Sequence, residues 1–378
     1  MSAVDEALQA PDVLTPLPPE CGDDRRNFQG IPGIEGTPGG AFYATWYTGG
    51  DDEGADNYVV LARSDDGART WAPPFLAVLP RFDNVRTYDP ALWTDPRGRL
   101  WLFWAQSADW FDGRAGVWAI VSDNPDAPVP TWSEPRRLAN GIMMNKPIAC
   151  ANGDWLLPAA VWKSVAPHRP ELAAEQLSNV VASTDEGATW ALRGGADIPE
   201  TQFDEHSVVE RRDGRLWILA RCFYGIGQSF SADGGRTWTP GEPTGITGPS
   251  SRAQVRRLQS GRLILLYHFG CETKEDGTPL RSHLTAKLSD DDGATWSDGL
   301  VLDERAGVSY PDVTQDATGR IHVIYDYNRG NDSALGIERQ ILCAVVTEED
   351  ILAGRLVDAD SRLRVLVNQA TGPSRRAP

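Results

Sequence analysis

Ser289-Asp-Asp-Asp-Gly-Ala-Thr-Trp296 decides the fold, because the same octapeptide returns along the chain. Its other copies are Ser64-Asp-Asp-Gly-Ala-Arg-Thr-Trp71, Ser183-Thr-Asp-Glu-Gly-Ala-Thr-Trp190 and Ser231-Ala-Asp-Gly-Gly-Arg-Thr-Trp238. A stretched form runs from Ser122-Asp-Asn-Pro-Asp to Thr131-Trp132. Short Ser, Asp and Thr side chains satisfy backbone groups in a tight turn, and glycine takes a conformation that a Cβ disfavours. The Trp can then pack between neighbouring sheets. A folding staple is the expected role. The acidic run at 290–292 lacks the ligand spacing of an EF-hand, so no calcium loop is read there.

Working outward, a second element precedes each copy: a turn ending in Gly, then a strand of branched and aromatic residues. It reads Gly40-Ala-Phe-Tyr, Gly98-Arg-Leu-Trp, Gly153-Asp-Trp-Leu, Gly214-Arg-Leu-Trp, Gly261-Arg-Leu-Ile and Gly319-Arg-Ile-His, at steps of 58, 55, 61, 47 and 58 residues. In the sixth repeat Thr347-Glu-Glu-Asp-Ile-Leu replaces the octapeptide and reads as one helical turn. Each unit holds two hairpins. Six such units predict an all-β, six-bladed β-propeller of four-stranded antiparallel blades. The blades are expected at about 28–80, 87–139, 142–199, 204–246, 249–304 and 309–360. Residues 1–27 form an N-terminal extension and 361–378 a C-terminal tail with a frayed end at 374–378. Either flank could add a ring-closing strand or wrap the outside.

Composition agrees. The 378 residues are 41% hydrophobic and 24% charged, with 37 Gly, 27 Pro and 14 Trp, which excludes disorder and collagen. A net charge of −17 argues against nucleic acid or an anionic membrane as partner, while a local arginine cluster could still bind a small anion. No apolar run approaches a membrane span, and the acidic, proline-containing start does not read as a signal peptide. Five widely separated cysteines suggest reduced thiols, hence a cytoplasmic location. Gly225-Ile-Gly227 lacks the third glycine of a nucleotide loop, and no zinc spacing occurs, so no cofactor or metal is expected.

Repeat counting also picks out a site. Strand one of a blade is innermost, so residues nine before each turn glycine should ring the central axis, on the face away from the turns. Those are Asp89, Met144, Glu205, Arg252 and Tyr310, with Ile31 in the first blade. Arg86, Tyr88, Asn145, Lys146, Asp204, His206, Ser250, Ser251 and Asp312 lie beside them. Seven residues past the glycines, at the end of strand two, come Arg221, His268 and Asp326. Strand three begins on the same face with Asp56 in blade one, Glu53 slightly further out, and Arg281 in blade five. One ionisable residue there could be a structural ion pair. A convergent acid, base and phenol favour a small-molecule site.

At these residues the chain resembles the sialidase (neuraminidase) family, whose octapeptides are called Asp boxes and whose fold is a six-bladed propeller. The resemblance covers roughly residues 28 to 350, and the boxes alone say little about function. It implies Tyr310 as nucleophile, Glu205 as its base, and Arg221 and Arg281 as a clamp on a substrate carboxylate. It implies a proton donor from the blade-one loop, where Asp56 and Glu53 are candidates. A neutral phenol can approach an anomeric carbon bearing a carboxylate without like-charge repulsion. One position departs from the family. Sialidases open blade one with Arg-Ile-Pro, whereas Phe28-Gln-Gly-Ile-Pro32 puts Gly30 where that first arginine would stand. Arg86 or Arg252 could reach in from neighbouring blades, and Asp89, Asn145, Lys146 and His206 complete the expected substrate contacts.

The expected function is a sialidase-like exo-glycoside hydrolase acting on a saccharide, with the missing arginine pointing to a uronate or related acidic sugar rather than sialic acid. Two alternatives share the same fold. A lyase could use His206, Tyr310 or Lys146 to abstract a proton beside a carboxylate. A glycan-binding propeller would bind without turnover, and would have no need of the Glu205–Tyr310 pair.

Overall fold

The computed structural model describes residues 2–330 and 338–373. Twenty-four of its strands form six sheets of four, consecutive in the chain, and blade one gains a fifth strand. Neighbouring strands within each sheet are antiparallel. The protein is thus a six-bladed β-propeller. The innermost strands are Gln29–Gly36, Val85–Thr94, Ile148–Ala149, Thr201–Glu210, Gln254–Arg257 and Val308–Gln315.

Second strands read as near-continuous apolar runs because a blade is covered on both faces by its neighbours. Leu100–Ala108 and Leu216–Cys222 are buried along their whole length. The cores therefore lie between blades, and each box Trp packs against the blade before its own. Trp190 of blade three joins Trp93 and Trp101 of blade two, with its ring 6.2 Å from Trp101. Trp296 joins Trp217, Trp238 joins Leu156, and Trp71 joins Ile324 and Ile341 across the ring closure.

The box carboxylate is consumed inside its own turn. Asp291 accepts the Thr295 N–H at 2.8 Å, the Thr295 hydroxyl at 2.6 Å and the Ser289 hydroxyl at 2.8 Å. Asp66, Asp185 and Asp233 repeat the pattern with Thr70, Thr189 and Thr237. This leaves a staple rather than a ligand loop. In blade six the substitute is a short helix, Glu348–Ala353, whose N-cap Thr347 and Asp350 form a capping box and whose C-cap is Gly354 at φ 63°.

Both flanks contribute strands. Arg362–Gln369, placed in the tail by sequence reading, is the outer strand of blade six and pairs with Gln340–Val346. Asp12–Leu14 pairs with Leu76–Leu79 as a fifth strand on blade one. Neither crosses into another blade, and the ring is closed by side chains together with the Gln29 N–H, which donates to the Arg329 carbonyl at 3.3 Å. Arg26 donates to Asn368 Oδ1 at 3.0 Å, and Gln29 Nε2 donates to the Arg339 carbonyl at 2.7 Å. The expected frayed end at 374–378 lies outside the described residues. Among the described residues no helix is long and apolar enough to cross a membrane, and all five cysteines are unpaired.

Candidate active site

Four innermost strands break register at the same height: between Gly30 and Gly33, Tyr88 and Ala91, Thr201 and His206, and Ser309 and Asp312. Three breaks coincide with Ile31-Pro32, Asp89-Pro90 and Tyr310-Pro311. Proline has no N–H for the ladder, so it is tolerated where the ladder is already interrupted. Ile31, Asp89 and Tyr310 take φ values of 53°, 47° and 53°, and Asp204 takes 45°. Left-handed geometry costs an L-residue about 1–2 kcal/mol, so surrounding bonds must hold it.

Arg252 supplies those bonds. Fully buried, its guanidinium donates to the carbonyls of Met144 at 2.5 Å, Tyr310 at 2.9 Å and Pro311 at 3.0 Å, joining blades three and six from blade five. Asp326 does the same for blades one and six, accepting the Ile31 N–H at 2.9 Å and the Ser309 hydroxyl at 2.7 Å. Arg252 was expected to touch substrate. Its fork is instead spent on backbone, and it acts as a spoke beneath Tyr310.

On that frame three side chains meet. The Tyr310 hydroxyl donates to Glu205 Oε1 at 3.2 Å and accepts from Arg221 Nη1 at 3.1 Å. Arg221 Nη1 also donates to Glu205 Oε1 at 2.8 Å. Gln202 Oε1 and Ser250 Oγ, at 2.9 and 3.0 Å, fix the rest of the Arg221 fork. All three are buried, and Glu205 Oε2 has no partner among the described residues. Arg281 donates to the Ser250 carbonyl at 2.9 Å and places its guanidinium carbon 5.2 Å from the Tyr310 ring centre. Arg329, not among the residues singled out by counting, comes closer, at 4.6 Å. It lies just after strand two of blade six, whereas Arg221 lies within strand two of blade four and has Asp326 as its counterpart by counting, so the repeat carried no signal for Arg329.

Carboxyls and aromatics ring this centre. Burial pushes Asp89 well above the usual carboxylate range, with Arg86 opposing and Glu53 and Glu205 reinforcing the shift. Burial also works against ionised Glu53, but Arg329 and Arg86 outweigh it and hold that carboxyl below its ordinary value. Asp56, on the same blade-one loop, is exposed. Arg86 donates to Asn57 at 3.1 Å and lies over the Tyr88 ring at 3.7 Å. Both amide atoms of buried Asn145 lack a partner among the described residues. Trp110, Trp162 and Phe203 form an aromatic wall, with Phe203 under the Arg221 guanidinium at 4.8 Å.

Two expected contacts sit elsewhere. Lys146 points down the axis, where its ammonium meets Glu35 Oε2 at 3.1 Å, Asp312 Oδ2 at 3.0 Å and the Leu92 carbonyl at 3.0 Å. His206 is buried between the Asp204 and Asn179 carbonyls, at 2.8 Å from each, and burial lowers its pKa. Counting identified their height on the strand and not the direction of their side chains. A separate cavity of about 340 Å³, lined by Trp93, Asp95, Glu210, Arg256 and Arg257 among others, lies toward the turn face and shares none of these groups. Among the described residues no group of three or more His, Cys, Asp or Glu is placed to hold a metal ion.

Comparison with known proteins agrees with this architecture. The family model described as a BNR repeat-like domain matches residues 40–323, which is most of the chain. The chain belongs to the BNR repeat-like family. No curated protein matches this BNR repeat-like protein in sequence. Among solved structures, a Dyadobacter fermentans protein of unknown function is 17% identical with a TM-score of 0.62, over 85% of this chain and 95% of that one. A Hadza microbial sialidase is 20% identical with a TM-score of 0.63, over 86% of this chain and 66% of that one. The intramolecular trans-sialidase from Ruminococcus gnavus is 15% identical with a TM-score of 0.61, over 84% and 93%. At these identities the likeness establishes a sialidase-type fold.

Proposed function

We propose that this BNR repeat-like propeller is an exo-glycoside hydrolase for an acidic sugar, with Tyr310 as nucleophile. The observation that carries the reading is the Tyr310–Glu205–Arg221 triangle. The phenol donates to a carboxylate that can take its proton, and accepts from a guanidinium that stabilises the phenolate as it forms. The phenolic oxygen attacks the anomeric carbon, the glycosidic C–O bond breaks, and water then releases the sugar from the tyrosine.

The departing oxygen needs a proton. The blade-one loop offers Glu53 and Asp56. Glu53 is held ionised by Arg329 and Arg86, which makes it a poor donor. Asp89, whose carboxyl burial pushes up, is better suited electrostatically and competes with Asp56 for the role. The solved structures with this fold include sialidases, which fits an acidic sugar. Elimination is the weaker reading, because His206 and Lys146 are both committed to structural bonds and only Tyr310 remains of its three candidate bases.

The test is fluorophore release from a panel of aryl glycosides, sialoside and uronides included. Tyr310→Phe and Glu205→Gln are each expected to lower kcat on the true substrate by at least about a hundredfold while KM changes little. Undiminished turnover in Tyr310→Phe would exclude the nucleophile. Unsaturated product absorbing in the ultraviolet would identify a lyase, and binding without product a lectin.

A further inference from the structure

Gly30 does not stand on strand one for its backbone freedom. Unlike the turn glycines, it has no positive φ, and what it provides is space. A Cβ at that position would lie 2.7 Å from Arg329 Cδ, 2.8 Å from Arg329 Cβ and 2.9 Å from Asp326 Oδ2. The Cβ contact involves the root of the arginine and the Cδ contact its last methylene, so the side chain cannot clear the space without leaving the site. Gly30 and Arg329 are steric complements across the closure between blades one and six.

Arg329 reaches this space after strand Ile321–Tyr327, and its carbonyl accepts the Gln29 N–H at 3.3 Å, which ties the segment to blade one. Its guanidinium lies 4.6 Å from the Tyr310 ring centre. Nη2 stands 3.3 Å from Glu53 Oε1, and Nη1 stands 3.9 Å from Asp326 Oδ2. That second contact is too long for a hydrogen bond, and Nη1 is buried with no acceptor among the described residues. A buried guanidinium donor without a partner is costly, and an incoming oxyanion would satisfy it. Arg86, Arg221, Arg252, Arg281 and Arg329 also outnumber the carboxyl groups Glu53, Asp89, Glu205 and Asp326 around the same centre.

We propose that Arg329 is the third guanidinium of a carboxylate clamp with Arg221 and Arg281, delivered from blade six into the space that Gly30 leaves, with Glu53 as its resident counter-ion. The ligand class is a sugar acid whose carboxylate lies within reach of all three groups around Tyr310. The assignment of that acid to a substrate rests on the hydrolase reading above. The clamp itself does not require turnover. Glu53 holds the arginine against the site wall when no ligand is bound. A substrate carboxylate then shares it, occupying Nη1 while Glu53 keeps Nη2.

Binding distinguishes the two claims. N-acetylneuraminate and D-glucuronate, each beside its uncharged carboxamide, would be titrated calorimetrically against the full chain. The variants are Arg329→Gly, Gly30→Arg and the double swap. The wild type is expected to prefer at least one acid over its amide. Arg329→Gly should reduce that preference about ten- to a hundredfold, leaving amide binding unchanged. Gly30→Arg alone should lower the thermal midpoint because of the close contacts. The double swap should regain most of the acid preference, since the guanidinium then comes from blade one. No preference for either acid in the wild type would overturn the clamp. So would a full preference in folded Arg329→Gly, or a selective loss that the double swap fails to restore. Acid preference without Tyr310-dependent turnover would leave the clamp standing and remove the hydrolase. Tyr310-dependent turnover indifferent to Arg329 would do the reverse.

Discussion

Lys146 brings an ammonium group into the propeller axis, where side-chain exposure is 2% for Lys146, 4% for Glu35 and 5% for Asp312. Breaking a buried ion pair strands the remaining charges and costs about 3–5 kcal/mol. Lys146→Met is therefore expected to lower the urea midpoint by that equivalent, and a stability change within experimental error would show the cluster to be dispensable. The residue illustrates what repeat counting misses. Glu205 and Tyr310 are found by their distance from a turn glycine and Lys146 by lying beside Met144 at that distance, yet Glu205 and Tyr310 face the mouth and Lys146 faces down the axis. Tyr310 and Asp89 turn because a bulge beside a proline flips the strand locally. The signal was present in the repeated X-Pro pairs. His206 could not be read at all, because its direction depends on the Asn179 carbonyl of the neighbouring blade.

Among local elements the Asp-box turn was the most legible, since every bond it makes is local. Its glycines stand at two different places, Gly67 at the fourth position of its octapeptide and Gly293 at the fifth, and packing treats the two places differently. Gly67 has φ 73° and open space where a Cβ would go, whereas at Gly293, with φ 88°, a Cβ would stand 2.5 Å from the Trp217 ring. Gly67→Ala is expected to cost only the left-handed strain, about 1–2 kcal/mol. Gly293→Ala adds overpacking against the preceding blade and should cost about 2–5 kcal/mol in all. Equal urea midpoints for the two variants would mean that Trp217 yields freely. The outer strand Arg362–Gln369 was placed in the tail rather than in blade six for a related reason. Its burial is alternating and partial, and its partner strand Gln340–Val346 is separated from it by the helix that replaces the box.

Across the whole molecule the box carboxylates set the acid limit. Hydrogen bonds from Thr189 and Thr295 hold Asp185 and Asp291 down at about 2, and Asp66 reaches about 2 although burial opposes it. A folded-state pKa below the unfolded value of about 3.9 adds stability that is complete above that pH and is lost as pH falls through the folded value. The thermal midpoint is therefore expected to decline between about pH 4 and pH 2, with a shallower decline in Asp66→Asn. An identical slope in the variant would assign acid unfolding to other groups. At this scale the division between sequence and tertiary structure has a physical basis. Turn chemistry, strand periodicity and the repeat interval are short-range properties, so the six-bladed ring and the height of Glu205, Arg221, Arg281 and Tyr310 within it were determined by the sequence alone. Which way each side chain points depends on the carbonyls and cavities of the neighbouring blade. The burial of Lys146, the role of Arg252 as a spoke and the fit of Arg329 beside Gly30 were decided only by tertiary structure, because ring closure brings together residues some 300 positions apart.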